Sequence, residues 1–89
     1  MRKRKLENGL IYYECLAFET KLLGGKGICD ECNKMALNGY LVPVLGDYMC
    51  PRCFSEWSKT AKRYPEDDAY ERRKAEYWEK IIKTEEANL

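Results

Sequence analysis

The chain has 89 residues, with sixteen basic and fifteen acidic side chains, five cysteines and no histidine. A chain of this length forms one small domain whose hydrophobic core alone leaves it marginally stable, so we expect a further constraint from the cysteines. The absence of histidine excludes Ser-His and Cys-His nucleophile pairs and every metal site that mixes cysteine with histidine. The formal charge of +1 argues against a protein held on nucleic acid mainly by bulk charge.

The longest apolar run begins at Leu10 and is interrupted by Glu14 and Glu19, a pattern typical neither of a membrane span nor of a signal-peptide core. We therefore expect no membrane partner and a cytoplasmic location, or a nuclear one if the source is a eukaryote. Thiols stay reduced in these compartments, so disulfides are not expected. The basic run at residues 2–5 is interpreted as a solvated terminus, with a nuclear-localisation signal or a nucleic-acid-binding arm as alternatives.

Residues 1–27 form the first predicted segment, a strand and helical piece that packs on the part of the chain after it. Asn8-Gly9 is typical of a hairpin turn, and the β-prone residues 10–13 follow it. Apolar residues also recur at a helical spacing, at Ile11, Cys15, Phe18 and Leu22. We therefore expect a short strand that turns into one or two helical turns.

Residues 28–64 form the second predicted segment. The turn pairs Asn38-Gly39 and Gly46-Asp47 bracket a β-prone run over residues 40–45 and predict a β-hairpin. Pro43 cannot donate a backbone hydrogen bond, so its strand is expected to lie at a sheet edge or to bend there. Beyond the hairpin, the apolar residues follow a helical spacing, at Phe54, Trp57, Ala61 and Tyr64. The opposite side of this predicted helix carries Arg52, Ser55, Lys59, Lys62 and Arg63.

Residues 65–89 form the third predicted segment, an amphipathic helix that extends to about Glu86. Acid–base pairs four residues apart support it, at Asp68–Arg72, Glu76–Lys80 and Glu79–Lys83. An apolar stripe runs along it, at Tyr70, Tyr77, Trp78, Ile81 and Ile82. At about 31 Å, the helix is as long as a small domain is wide, so part of the stripe is expected to overhang and to bind a partner. The candidate partner-binding residues are Tyr70, Tyr77, Trp78 and Ile81.

The chemistry of the chain lies in the motif Cys29-x2-Cys32-x17-Cys50-x2-Cys53. A Cys-x-x-Cys turn aims two sulfurs at one point, and two such turns complete a tetrahedral shell for Zn²⁺ at about 2.3 Å. Four protein ligands leave no open position for water or substrate, so we expect a structural zinc ion. Asn33 tolerates the left-handed conformation that such a turn needs, and Pro51 suits the first helical position after the third cysteine.

Two alternatives remain for these four cysteines. Redox pairs would need a βαβ setting that the pattern lacks, and in a rubredoxin-like iron site a glycine would follow the pairs. Cys15 lies outside the motif and is interpreted as a small buried apolar residue on the face shared with Ile11 and Phe18. A reactive thiol or a fifth metal ligand are the alternatives for Cys15.

Residues 28–64 resemble the treble-clef zinc fingers, in which a zinc knuckle and a β-hairpin precede a helix whose first turn supplies the second ligand pair. The spacing between the two pairs is similar to that of GATA-type and LIM-like fingers. The resemblance implies a small zinc-stabilised α+β fold, here with a long C-terminal helix added. The chain lacks the basic tail of a GATA finger and the histidine common in LIM modules. The resemblance therefore indicates the type of finger but no particular family.

We expect a non-enzymatic protein-interaction module, acting as an adaptor, regulator or inhibitor, with a protein partner and no small-molecule substrate. The closed metal site and the many tyrosine and tryptophan residues, which are enriched in binding hot spots, support this expectation. The alternative is a nucleic-acid-binding finger that uses the basic N-terminal arm with Arg52, Lys59, Lys62 and Arg63. An enzyme is not expected, because the sequence contains no histidine, no open metal position and no carboxylate pair.

Overall fold

The computed structural model describes residues 1–87. Four strands form one antiparallel sheet in the order β1-β2-β3-β4, namely Arg2–Lys5, Ile11–Leu16, Asn38–Val42 and Asp47–Met49. Three α-helices accompany the sheet, α1 (Ala17–Leu22), α2 (Pro51–Thr60) and α3 (Asp68–Ala87). The predicted small α+β fold with a C-terminal helix is thereby confirmed.

The basic run at residues 2–5 is the edge strand of the sheet rather than a solvated arm. β1 pairs with β2 along its full length. All four side chains are exposed, and two of them form ion pairs, Lys3 with Glu79 at 3.2 Å and Arg4 with Glu14 at 3.4 Å. Charged side chains protect a sheet edge from pairing with other chains, which explains a strand of this composition.

The predicted strand that turns into helical turns is confirmed. Gly9 has a φ of 95° in the turn before β2, and α1 begins directly after Leu16. The Glu19 carboxylate accepts a hydrogen bond from Leu16 N–H at 2.8 Å and also pairs with the buried ammonium group of Met1. This carboxylate therefore holds the start of β1 and the start of α1 together.

Side chains alternate between the two faces of the sheet, and each face has its own core. In β3, Tyr40 and Val42 lie on the α2 face, where Tyr40 stacks on Phe54 with ring centroids 4.1 Å apart. Leu41 lies on the opposite face, in the same cluster as Trp78 of α3. The sheet is therefore the central layer, with α2 on one side and α1 and α3 on the other.

One stripe of α3 binds this helix to the sheet. Ala75, Trp78 and Ile82 are buried along it. Glu71 continues the stripe and is also buried, because its carboxylate accepts a hydrogen bond from Ile11 N–H of β2 at 2.9 Å. The spacing of these four residues is that of a single helical face.

Several acidic residues of α3 bind to other segments rather than to basic residues one turn later. Glu79 accepts a hydrogen bond from the Tyr13 hydroxyl at 2.8 Å and pairs with Lys3, and Asp68 pairs with Arg63. Burial and this bond to Glu79 raise the pKa of Tyr13, so its hydroxyl remains a neutral donor. The ion pairs formed within the described residues do not include Asp68–Arg72, Glu76–Lys80 or Glu79–Lys83.

The predicted turn at Asn38-Gly39 is wrong, because both residues lie within β3. The ring of Tyr48 packs directly against Gly39, and a Cβ added at position 39 would lie 2.6 Å from ring atoms of Tyr48 and from the backbone oxygen of Met49. Glycine is needed here for the close approach of neighbouring atoms rather than for a turn.

We expect Gly39→Ala to lower the free energy of unfolding by about 1–3 kcal/mol, because the added methyl group must displace backbone and ring atoms. Urea denaturation at a fixed metal concentration measures this change. Asn38→Ala alters the exposed neighbour and is the matched control, with an expected change within about 0.5 kcal/mol. A Gly39→Ala variant that is as stable as the control would contradict this close packing.

The hairpin turn and the end of α2 also differ from the prediction. The turn spans residues 43–46, directly before β4, and Gly46 has a φ of 71° there. α2 ends at Thr60, because Ala61 adopts an extended conformation with φ −64° and ψ 134°. The predicted apolar face therefore stops short, with Phe54 buried, Trp57 half-buried and Tyr64 exposed.

Candidate metal centre

Residues 28–35 form a tight knuckle that carries the first two cysteines. Its base is closed by a β-bridge between Ile28 and Met35, and Cys29 N–H donates to the Lys34 carbonyl at 2.9 Å. Asn33 N–H donates back to the Cys29 carbonyl at 2.8 Å. Asn33 has a φ of 62°, so the predicted left-handed residue after the first pair is confirmed.

The start of α2 carries the other two cysteines. Cys50 is the N-cap residue, and its sulfur accepts a hydrogen bond from Cys53 N–H at 3.5 Å. Pro51 lies at the beginning of the helix as predicted, where its missing N–H costs no helical hydrogen bond. The unpaired N–H groups and the dipole of a helix N-terminus favour negative charge, and therefore favour thiolates at this position.

Strand β4 holds the knuckle against the start of α2. Asp30 N–H donates to the Tyr48 carbonyl at 2.8 Å, and the Asp30 carboxylate accepts Tyr48 N–H at 2.7 Å. Tyr48 lies two residues before Cys50, so this pair of hydrogen bonds brings the two cysteine pairs together. All four sulfurs lie within 4.8 Å of one another, and the sulfurs of Cys32 and Cys50 are 3.8 Å apart.

These distances fit a tetrahedral metal ion. Four sulfurs bound at about 2.3 Å would lie about 3.8 Å from one another. All five cysteines of the chain are free thiols, so none of the four is held in a disulfide. Cys29, Cys32, Cys50 and Cys53 could thus hold a metal ion in a closed shell, with no position left for water or substrate.

The pKa values of Cys29 and Cys53 are shifted in opposite directions. Burial raises the pKa of Cys29, but hydrogen bonds from the backbone N–H groups of Cys50, Cys32 and Glu31 outweigh it and lower the pKa to about 6. The neighbouring sulfur of Cys50, followed by burial, raises the pKa of Cys53 to about 12. Thiolates this close repel one another, and a bound cation would compensate their charge.

Cys15 lies outside this cluster. It is buried on the sheet face that carries α1 and α3, in the same core cluster as Tyr13. Burial, and then the charge of Glu19, raise the pKa of Cys15 to about 12, so its thiol is neutral at pH 7. The expectation of a buried apolar residue is confirmed for Cys15, but Phe18, expected on the same face, is exposed.

The four predicted partner-binding residues lie on different sides of α3. Trp78 belongs to the buried stripe and is only 5% exposed, so it is a core residue rather than a contact residue. Tyr70 and Tyr77 are exposed, and Ile81 is half-buried. Because successive helical residues are about 100° apart, Tyr77 and Trp78 face different directions, and the single predicted stripe is in fact two.

The four predicted nucleic-acid-binding residues do not share one helix face. Arg52 and Lys59 lie on α2 and are exposed. Lys62 and Arg63 follow the end of α2, and Arg63 pairs with Asp68. Lys62 and Arg63 were assigned to this helix because the helical spacing in the sequence continues past Thr60, where α2 ends.

The structure also contains an exposed apolar surface that the sequence interpretation missed. Met35 is 77% exposed and Leu37 is 74% exposed, on either side of the buried Ala36. Further exposed apolar side chains lie on the segments that adjoin these two residues. We call the whole set the knuckle-base surface; its members are Leu16, Phe18, Ile28, Met35 and Leu37. The alternation of Met35-Ala36-Leu37 after the first cysteine pair is the signal that could have indicated it.

Comparison with protein families, with curated proteins and with solved structures finds no match to this chain. No helix within residues 1–87 is both long enough and apolar enough to cross a membrane. Within the same residues, the four-cysteine cluster is the only group of side chains placed to bind a metal ion.

Proposed function

We propose that this protein is a non-enzymatic zinc-binding interaction module that acts as an adaptor, regulator or inhibitor of a protein partner. One observation carries the proposal: the closed four-sulfur site lies at the centre of a knuckle whose base exposes large apolar side chains. A structural metal there would order the segment that displays these side chains. Large apolar side chains exposed together on a small protein are typical of a protein-binding site.

Zinc is the metal that we propose for the site. Thiolate ligands in a tetrahedral arrangement select zinc or iron–sulfur chemistry over magnesium and calcium. Zinc has no redox chemistry and accepts a closed tetrahedral shell, which suits a purely structural role. A single iron ion in a rubredoxin-like site is the competing assignment.

The fold that we propose for residues 28–60 is a treble-clef finger. The knuckle, the β3–β4 hairpin and α2 follow one another in the order of that fold. The ligand pairs come from the knuckle and from the first turn of the helix, as in treble-clef fingers. Residues 1–27 add β1, β2 and α1 to the same sheet.

The side chains around the main surface groove support a role without catalysis. A groove of about 630 Å³ lies between the N-terminus and the start of α2, and Cys15, Glu14 and Glu19 are among the residues that line it. Glu14 pairs with Arg4, and Glu19 pairs with the ammonium group of Met1. Since the Cys15 thiol is neutral as well, these groups offer no free base or nucleophile.

Metal analysis and affinity capture test the proposal. We expect one zinc ion per chain in protein purified without added metal, and capture of a protein partner that survives nuclease treatment and is lost after chelation. Iron in place of zinc would overturn the metal assignment. Capture that depends on nucleic acid would overturn the protein-interaction assignment.

Nucleic-acid binding is the second candidate, favoured by the row of exposed basic side chains on β1 and by Arg52 and Lys59 on α2. Two of the β1 side chains and Arg63 are engaged in ion pairs, which reduces the charge free to contact phosphate. If this candidate is correct, binding to duplex DNA or RNA falls steeply with salt, and the combined Arg52→Glu and Lys59→Glu change abolishes it. No binding at low salt would exclude it.

A further inference from the structure

Three segments of backbone lie side by side beneath the knuckle-base surface. Ala17 N–H donates to the Leu37 carbonyl at 2.8 Å, which places the end of β2 and the start of α1 beside residue 37. Ala36 N–H donates to the Gly27 carbonyl at 3.1 Å, and Ile28 bridges to Met35. Single exposed apolar residues are common on protein surfaces, but Met35 and Leu37 lie on either side of the buried Ala36 and are 77% and 74% exposed.

The backbone at residues 36 and 37, between the exposed side chains of Met35 and Leu37, is already hydrogen-bonded. Ala36 N–H and the Leu37 carbonyl are both paired within the protein, and the Ala36 carbonyl accepts a hydrogen bond from the Tyr48 hydroxyl at 2.6 Å. A partner that contacts Met35 and Leu37 is therefore recognised through side chains rather than through the backbone of Ala36. An amphipathic helix meets this requirement, because its own backbone is satisfied and its apolar stripe faces the surface.

Three lysines lie on the same backbone segments as the residues of the knuckle-base surface. Lys21 lies one helical turn after Phe18 on α1, Lys26 is two residues before Ile28, and Lys34 adjoins Met35. All three are exposed, and none takes part in an ion pair formed within the described residues. An apolar surface with an unpaired basic rim is complementary to an apolar stripe flanked by carboxylates.

A second copy of this chain and an anionic membrane fit the same surface less well. A symmetric dimer through it would place the three lysines near their copies, and like charges across an interface repel. A membrane would present negative charge to the whole end of the molecule, including Asp30, Glu31 and a metal site whose four thiolates and divalent ion carry two net negative charges. A helix can place its carboxylates beside the lysines alone.

We propose that an acidic amphipathic helix of a partner protein docks on the knuckle-base surface, with its apolar stripe on Met35 and Leu37 and its carboxylates beside Lys21, Lys26 and Lys34. This inference rests on the proposed function as a protein-interaction module. The metal site orders the knuckle and so holds Met35 and Leu37 in place. Tyr70 and Tyr77 on the outer side of α3 form the competing surface.

Selection of peptides from a random display library on the zinc-loaded protein tests this docking site. We expect the selected peptides to carry leucine, isoleucine, phenylalanine or methionine at helical spacing with aspartate and glutamate beside them. Fluorescence anisotropy with the labelled consensus peptide then measures affinity. We expect Leu37→Asp to weaken binding at least about ten-fold, and combined Lys21→Glu, Lys26→Glu and Lys34→Glu changes to weaken it by a similar factor and to remove its salt dependence.

Tyr77→Asp on the exposed side of α3 is the matched control, with an expected change of less than about two-fold. Every variant is first checked for zinc content and melting temperature, so that lost binding is not confused with lost folding. If Tyr77→Asp abolishes binding and Leu37→Asp does not, this docking site is wrong while the protein-interaction function stands. Basic consensus peptides, or a library that yields no peptide dependent on Leu37, also overturn the proposal. So does Leu37-dependent binding to phosphatidylserine vesicles or Leu37-dependent self-association in place of peptide binding.

Discussion

Cys32→Ser, or removal of the metal by a chelator, is expected to unfold residues 28–60. Metal binding to sites of this kind contributes about 10–16 kcal/mol to folding, which is comparable to the whole stability of a small domain, about 5–15 kcal/mol. Cys29 and Cys53 are also members of the core cluster on the α2 face, so loss of the metal disturbs that core directly. Hydrogen exchange followed by mass spectrometry, together with metal analysis of the same samples, measures the effect.

Cys15→Ala is the matched control for this experiment, because Cys15 is buried but lies outside the metal cluster. We expect it to keep its metal and the exchange protection of residues 28–60, with a loss of stability of about 1 kcal/mol. A Cys32→Ser variant that keeps full metal content and native melting would contradict the assignment of the site. Loss of metal from Cys15→Ala would show that the fifth cysteine is a ligand after all.

The metal cluster could be predicted from sequence because its determinants are local. Each Cys-x-x-Cys turn sets the direction of its own two sulfurs, Asn33 supplies the left-handed residue, and Pro51 marks the helix start. The hydrogen bonds between Asp30 and Tyr48 that bring the two pairs together connect residues eighteen positions apart. Those bonds were not predictable, but the regular spacing of the four cysteines already required some such connection.

The parts of the fold that were wrongly predicted depend on contacts distant in sequence. β1 is a strand because β2 offers it a partner and because Glu79 and Glu14 pair with its charges, whereas four basic residues alone have no preference for a strand. Gly39 is required by the ring of Tyr48 from the neighbouring strand. Next to Asn38, a glycine indicates a turn unless that neighbour is known.

Helix α3 was predicted only in part. The helical spacing of the sequence predicted the helix, which is present, but it did not predict which side of the helix faces the sheet. The buried stripe contains Glu71, whose charge would exclude it from any core predicted by hydropathy. The N–H of Ile11 at the start of β2 explains that carboxylate, because it donates a hydrogen bond to it. When Glu71 is left out of the buried stripe, the sequence pattern no longer separates the two sides of the helix, and their aromatic residues were predicted to form one continuous stripe.

Trp78→Ala is the test of which side of α3 is buried, and we expect it to lower the free energy of unfolding by about 3–5 kcal/mol. The ring packs edge-on against Tyr13 at a centroid distance of 6.4 Å, and the Lys74 ammonium lies 5.4 Å from the ring centroid. The substitution therefore leaves a large cavity between α3 and the sheet. For a chain of this size, each kcal/mol corresponds to about 4–8 °C in Tm, so thermal and urea denaturation at a fixed zinc concentration both resolve the change.

Tyr77→Ala is the matched control, since Tyr77 is the adjacent aromatic residue and is 59% exposed. We expect it to change stability by less than about 0.5 kcal/mol. Both variants should keep a full complement of metal, because α3 contributes no ligand to the four-cysteine cluster. If Trp78→Ala retains native stability and loses a bound partner, α3 presents this face outward, and the packing of the helix on the sheet is contradicted. A large loss in Trp78→Ala alone, with metal retained, would establish that the helix is fixed to the sheet independently of the metal centre.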